Sequence, residues 1–268
     1  MNGIKRVLTA VVGFPLVMLA LILANEYVID VVIAIVAVVA LYEYYHAVGT
    51  KYQPIQWIGY ISAASLCFVH LVTMDTLLKI IVFAIPCVVA ILFIQLIIKD
   101  TKINIVDIAL TLFSICYIVL FSMFISLTYG AENGKFLIWY IIIVSWGTDV
   151  FAYLTGKKMG KHKFSKISPN KSIEGCIGGL LGAVMIALIY TYCINRFAWF
   201  ELSYISIAWI AGVLSMIGQC GDFAASSIKR HVGIKDYSEL IPGHGGILDR
   251  MDSLIFIAPF AYMLLVLF

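Results

Sequence analysis

The sequence predicts an all-α, polytopic integral membrane protein with about nine transmembrane helices and a cytoplasmic N-terminus. Three observations carry that prediction. Of 268 residues, 63% are hydrophobic and only 12% charged, with a mean hydropathy of +1.03, whereas a soluble domain carries about a quarter charged residues. Apolar runs long enough to cross a hydrocarbon core about 30 Å thick as helices fill most of the chain. The positive residues gather in alternate loops, the pattern that sets orientation in a bilayer.

The first run, 7–24, follows MNGIKR and so has the positive flank of a signal peptide. Bulky Ile22 stands where cleavage needs a small residue, and another span begins almost at once, so the run reads as a retained helix. Runs 28–45, 57–74, 77–98, 104–128, 136–156, 175–195, 203–222 and 253–268 complete the set. Of the eighteen Lys and Arg residues, only Lys79, Lys135 and Arg196 fall on one of the two sides that these spans create. The other side is expected to be cytoplasmic, and both long polar loops, 157–174 and 223–252, lie there. The opposite connections, around Asn25, Asp75, Glu132 and Arg196, offer little material for a site. We therefore expect residues 1–134 to supply supporting helices and residues 135–268 to carry the chemistry, within one membrane-embedded chain that has no repeat, low-complexity tract or soluble domain.

A formal net charge of +3, distributed beside spans instead of on a basic face, argues against nucleic-acid binding. Cys67, Cys87, Cys116, Cys176, Cys193 and Cys220 lie in or at the edges of spans without a CxxC pair. They read as small apolar packing residues, not as a disulfide framework or a zinc site.

Three polar constellations remain. In SWGTDVFAYLTGKKMGKHKFSKISPNKSIEG, Asp149, Tyr153 and Lys157 follow one another by a helical turn and share a face. An acid at that depth is costly unless it meets water, a partner or a ligand. Ser168-Pro169 then breaks the chain, Ser172 is placed to cap a helix with Glu174 in its first turn, and Gly175, Gly178 and Gly179 permit close backbone approach. A helix start beside Lys171 suits a phosphate, and equally an ordinary capped transmembrane helix; the loop lysines taken singly are explained by topology. In IGQCGDFAASSIKR, Gln219, Asp222, Ser226 and Lys229 succeed one another by turns, with Arg230 slightly around the face. Snorkelling at a helix end explains the cations but leaves Asp222 without a reason.

The third constellation is PGHGGILDRMD. Asp249 and Asp252 are spaced i, i+3, and with Asp222 they are the hard oxygen donors that Mg²⁺ prefers, although either acid alone also stabilises a helix N-terminus. His244 has no Cys or His partner at zinc spacing, which favours a hydrogen-bonding or loop-fixing role. Gly243, Gly245 and Gly246 would let backbone N–H groups approach an anion, or simply allow a tight turn.

The run from Ser226 to Asp252 resembles the signature of the bacterial phosphatidate cytidylyltransferase family, also called CDP-diacylglycerol synthases. The resemblance is carried by Ser226, Ile228-Lys229-Arg230, Lys235-Asp236, Ser238, Ile241-Pro242, His244-Gly245-Gly246, Ile247, Asp249-Arg250 and Met251-Asp252. GDFAASSIKR, SPNKSIEG and the Asp149 to Tyr153 stretch are similar to the family's other segments, in the same order; Asn170 departs from the pattern, standing where a lysine is expected. The first half matches only by hydrophobic architecture.

The resemblance implies transfer of a cytidylyl group from CTP to phosphatidate with Mg²⁺, at a two-metal site facing the cytoplasm in the bacterial inner membrane. It also implies a homodimer among membrane lipids. In that reading Asp222 and Asp249 are metal ligands supported by Asp252, and Lys229, Arg230 and Arg250 bind phosphate oxygens. Lys171 with Ser172 contacts the second substrate or the triphosphate; Ser226, Lys235 and the glycines Gly245 and Gly246 around His244 shape the pocket. Asp149 is a ligand or stands behind one. A transporter, which needs polar access from both faces, and a CTP-dependent lipid kinase, which needs a base for the alcohol, are the rival classes.

Overall fold

The computed structural model describes residues 18–19, 21–99, 102–163, 168, 171–197, 200–240 and 245–267. Among them the chain is helical apart from short connections and isolated bridge residues, of which Lys163 and Ser172 pair antiparallel. Among the described residues seven helices are long and apolar enough to cross a membrane: α1 (Glu26–Val48), α3 (Met74–Lys99), α4 (Ile105–Gly130), α5 (Gly134–Met159), α6 (Ile173–Phe197), α7 (Tyr204–His231) and α8 (Leu248–Leu267). The expected count was nine. The run 7–24 lies largely outside the described residues, and 57–74 forms a shorter element, α2 (Gln56–Ala64), which tightens into a 3₁₀ turn over Ser65–Leu71.

The shortening has a local cause and a tertiary one. Ser62 and Ser65 turn their hydroxyls back onto the carbonyls of Ile58 and Ser62 at 2.9 and 2.7 Å, bonds that compete with a regular helix ladder. Past them, the His70 N–H leaves the ladder and donates to Asp30 Oδ2 at 2.9 Å.

The chain divides into two compact units. One comprises Met1–Gly130 with Val232–Arg250, the other Ala131–His231 with Met251–Phe268. In the first, α1 packs against α2, the 3₁₀ turn and α4. Its interior is polar at chosen points. Asp30, fully buried, accepts from His70 and from the hydroxyl of Ser126. Asp107 closes a capping box with Asn104 at the start of α4 and also accepts from the N–H of Gln53 at 2.7 Å. Thr111 takes the N–H of Ile55 at 2.8 Å, and Ser114 meets the Tyr45 hydroxyl at 2.7 Å. The first turns of α4 thereby fix the connection between α1 and α2. A buried polar group without such a partner is costly.

In the second unit α5, α6 and α7 pack against one another, and α5 meets α6 along small residues. A Cβ at Gly179 would stand 2.8 Å from the Thr148 carbonyl, and one at Gly182 would stand 2.1 Å from the Phe151 ring. These glycines let two backbones approach closely, the usual basis of helix association where lipid removes the hydrophobic driving force. A hydrogen bond of 2.8 Å between Thr148 and Ser215 ties α5 to α7.

Gly179→Val is expected to cost about 1–3 kcal/mol through overpacking, seen as a lower thermal unfolding midpoint in detergent. Gly212→Ala, whose added Cβ would meet nothing nearer than 3.8 Å, is expected to keep or slightly raise the midpoint, since alanine is the better helix former.

Candidate functional site

The polar connection between α5 and α6 is shaped by its own side chains. The Ser172 hydroxyl accepts from the N–H of Gly175 at 3.1 Å, which makes it the cap of α6. Glu174, in the first turn, accepts from the N–H groups of Lys161 and His162 at 3.2 and 3.3 Å and from His162 Nδ1 at 2.6 Å. The N–H of Ile173 donates to the His162 carbonyl at 2.9 Å. The loop thus folds back on the helix it precedes, and Lys171 stands at the mouth of α6.

Lys171 is where the charges meet. Its ammonium pairs with the Asp222 carboxylate of α7 and lies 4.4 Å from the centre of the Phe223 ring. Asp149, Asp252, Lys229 and Cys176 are all near enough to influence its charge. Burial pushes the ammonium below its ordinary pKa, against the pull of the Asp149 and Asp252 carboxylates, while Lys229 adds to the lowering. Lys229 and Asp252 are themselves buried, at 8% and 7% exposure. A charged side chain at that burial requires opposite charge around it. Beside Lys171 a cavity of about 600 Å³ is lined by Asp149, Tyr153, Lys157, Lys163, Lys171 and Ser172 among others. Asp149 and Tyr153 present their side chains here, and Lys157 Nζ lies 5.8 Å from the Tyr153 ring centre, so the face shared by those three residues is real.

In the other unit, the segment after α7 turns at Gly233, with φ of +82°, and again at Gly245, with φ of +84°. Asp249 Oδ2 accepts from the N–H groups of Tyr237 at 2.8 Å and Gly246 at 3.0 Å. From α1, buried Glu43 accepts from the Ser238 hydroxyl at 2.5 Å, the Ile247 N–H at 3.0 Å and the Leu248 N–H at 2.8 Å. Lys235 and Arg250 are exposed on this segment.

Residues 4–268 match the Cytidylyltransferase family. The chain belongs to that family. A phosphatidate cytidylyltransferase of Staphylococcus aureus (strain COL) is 35% identical over 265 residues, 97% of this chain and 98% of that protein. Phosphatidate cytidylyltransferases of Bacillus subtilis (strain 168) and Staphylococcus haemolyticus (strain JCSC1435) are 42% identical over 160 residues and 37% identical over 171 residues. These stretches cover 59% and 63% of this chain, and 58% and 64% of those proteins. Family membership makes the chain a nucleotidyltransferase, and its helices make it a multi-span membrane protein.

Within this cytidylyltransferase the structure brings together Asp149, Lys171, Ser172, Asp222, Lys229 and Asp252 in one unit. Ser226 lies one turn after Asp222 on α7, half-buried, and Arg230 is exposed. Lys235, Gly245, Gly246, Asp249 and Arg250 belong to the other unit. His244 and Gly243 lie outside the described residues. Among the described residues no group of three or more His, Cys, Asp or Glu side chains is arranged to hold a metal ion. The reading of the sequence missed Glu43 altogether. Its one available signal was an acid inside an apolar span, the feature that singled out Asp149.

Ser172→Ala is expected to cost about 1 kcal/mol through loss of the cap. Amide exchange should quicken at Gly175 and Cys176 while the second half of α6 keeps its protection; unchanged exchange at Gly175 would remove the capping role.

Proposed function

We propose that this cytidylyltransferase transfers the cytidylyl group of CTP to phosphatidate, giving CDP-diacylglycerol and pyrophosphate. The observation that carries the reading is the Lys171 site: a half-buried ammonium among carboxylates, opening on a cavity lined by further lysines at the mouth of α6. A reaction between two polyanions needs that arrangement more than it needs a protein nucleophile. A phosphate oxygen of phosphatidate attacks the α-phosphorus, the bond to the bridging oxygen of the β-phosphate breaks, and pyrophosphate leaves with that electron pair. Lys171, Lys157 and Lys163 would neutralise and align phosphate oxygens, and Lys229 would balance the carboxylates behind them. Ser172 is engaged in capping, so its hydroxyl serves the loop and not as a nucleophile.

The donors in this unit fit Mg²⁺ by chemistry. Asp149, Asp222 and Asp252 are hard oxygen ligands, and in this structure all three act on a single positive charge, that of Lys171. Asp222 and Asp252 would hold Mg²⁺, which when bound offsets the charge developing on the pyrophosphate leaving group. Asp249 is proposed as a further ligand in its own unit, where one of its oxygens already organises the turn.

The substrates fix where such a site belongs. CTP is water-soluble and phosphatidate keeps its headgroup at the membrane boundary, and Lys171 lies between two spans. The bias of Lys and Arg toward this side supports a cytoplasmic orientation, in the inner membrane of a bacterium.

Purified protein in detergent with phosphatidate and radiolabelled CTP should move label into chloroform-soluble lipid with stoichiometric pyrophosphate, only when Mg²⁺ is present. Release of labelled CDP instead would favour a lipid kinase, and no transfer by folded protein would end the proposal. Lys171→Met is expected to lower kcat about 100-fold or more, and Asp222→Asn to do the same at saturating Mg²⁺. Near-normal turnover of either variant would remove that residue from the site.

A further inference from the structure

We propose that Glu43 is a positioning residue of the enzyme: its buried carboxylate holds the turn that opens α8, and so sets the register of Asp249 and Arg250. The proposal rests on the reading just given, in which those two residues act in the reaction.

Glu43 is 1% exposed, near the end of α1. A carboxylate so buried is tolerable only when charge-assisted hydrogen bonds replace its water. All three bonds described for it come from the far end of the chain, 195, 204 and 205 residues away. Two donors, the N–H groups of Ile247 and Leu248, stand at the start of α8, where a helix has no internal acceptor for them and where negative charge is favoured. Oε1 takes Ser238 and Ile247, and Oε2 takes Leu248, so both oxygens are engaged.

Gly246 is shaped to this contact. A Cβ there would lie 2.4 Å from Glu43 Oε2, so the glycine is required for the carboxylate to reach the turn. Asp249 grips the same turn from within, through the N–H groups of Tyr237 and Gly246. The two acids therefore hold adjacent pairs of residues, Glu43 at 238 and 247–248 and Asp249 at 237 and 246. Glu43 also borders a cavity of about 560 Å³ lined by Val38, Val39, Tyr42, Tyr60, Ser238 and Leu240. The backbone amides that a glycine-rich turn offers to an anion are thus supplied with one by the protein itself.

The test uses the full chain in detergent with Glu43→Gln and Ser238→Ala. The amide replacing one carboxylate oxygen sets an N–H against an N–H donor, so in Glu43→Gln exchange at Ile247 and Leu248 should quicken about 10-fold or more while α5, α6 and α7 keep their protection. Turnover should fall about 10- to 100-fold, the range seen when residues supporting a ligand are lost, with kcat and kcat/KM falling together. Ser238→Ala, which removes one of the three bonds, should move both readouts in the same direction by a smaller factor. If Glu43→Gln does not fold, Ser238→Ala decides, and unchanged exchange and turnover in it overturn the proposal. Faster exchange with wild-type turnover overturns the positioning role, and wild-type exchange overturns the clamp. A wild-type protein that moves no label from CTP to lipid refutes the proposed reaction instead, while the exchange data still show whether Glu43 holds the turn.

Discussion

An ionisable group inside a chain this apolar must be given its counter-charge or its hydrogen bonds by the protein, because lipid supplies neither. Much of the fold can be understood as the supply of those partners. Asp30 draws His70 and Ser126 to itself, and in doing so ends a helix that hydropathy alone would have continued. Asp107 holds the connection ahead of α2. Glu43 holds a turn about two hundred residues further along the chain. Each acid joins segments distant in sequence, so the same desolvation penalty that makes it expensive makes the join specific.

The Lys171 site applies the same constraint with a different outcome. Here the partners are held close but not used up: one ammonium answers to carboxylates from α5, α7 and α8, and a second buried cation, Lys229, adds to the balance. In the proposed reaction such a cluster would meet the charge of two polyanions. The rigid parts are next to it. Close contact of α5 and α6 at Gly179 and Gly182, the Ser172 cap and the Glu174 clamp hold the start of α6 beside Lys171.

What could be read from the sequence followed from local spacing. The Asp149, Tyr153, Lys157 face and the Ser172 cap are settled by residues within a turn or two of each other, and both stand in the structure. The polar pattern of residues 226–252 resembles the family to which the chain belongs. Hydropathy located the spans but not the breaks in them, because the shortening of 57–74 depends on Asp30, a tertiary partner. Glu43 was illegible for the same reason: YEYYH reads as the polar end of a span, and nothing within it announces Ser238, Ile247 or Leu248. The glycines were read as a possible cradle for an outside anion, and the structure fills two of the amides there with Glu43 and one with Asp249.

That occupancy bears on how the labour is divided. Backbone amides at a helix start bind an anion without selecting among anions, since carboxylate and phosphate satisfy them alike. At the head of α8 three such amides, those of Gly246, Ile247 and Leu248, are already taken by the carboxylates of Asp249 and Glu43. In the other unit the cavity at the mouth of α6 is lined instead by the side-chain cations Lys157, Lys163 and Lys171, which in the proposed reaction would meet phosphate oxygens. Each unit thus answers buried charge in its own way, one by setting carboxylates against backbone amides and the other by setting an ammonium among carboxylates.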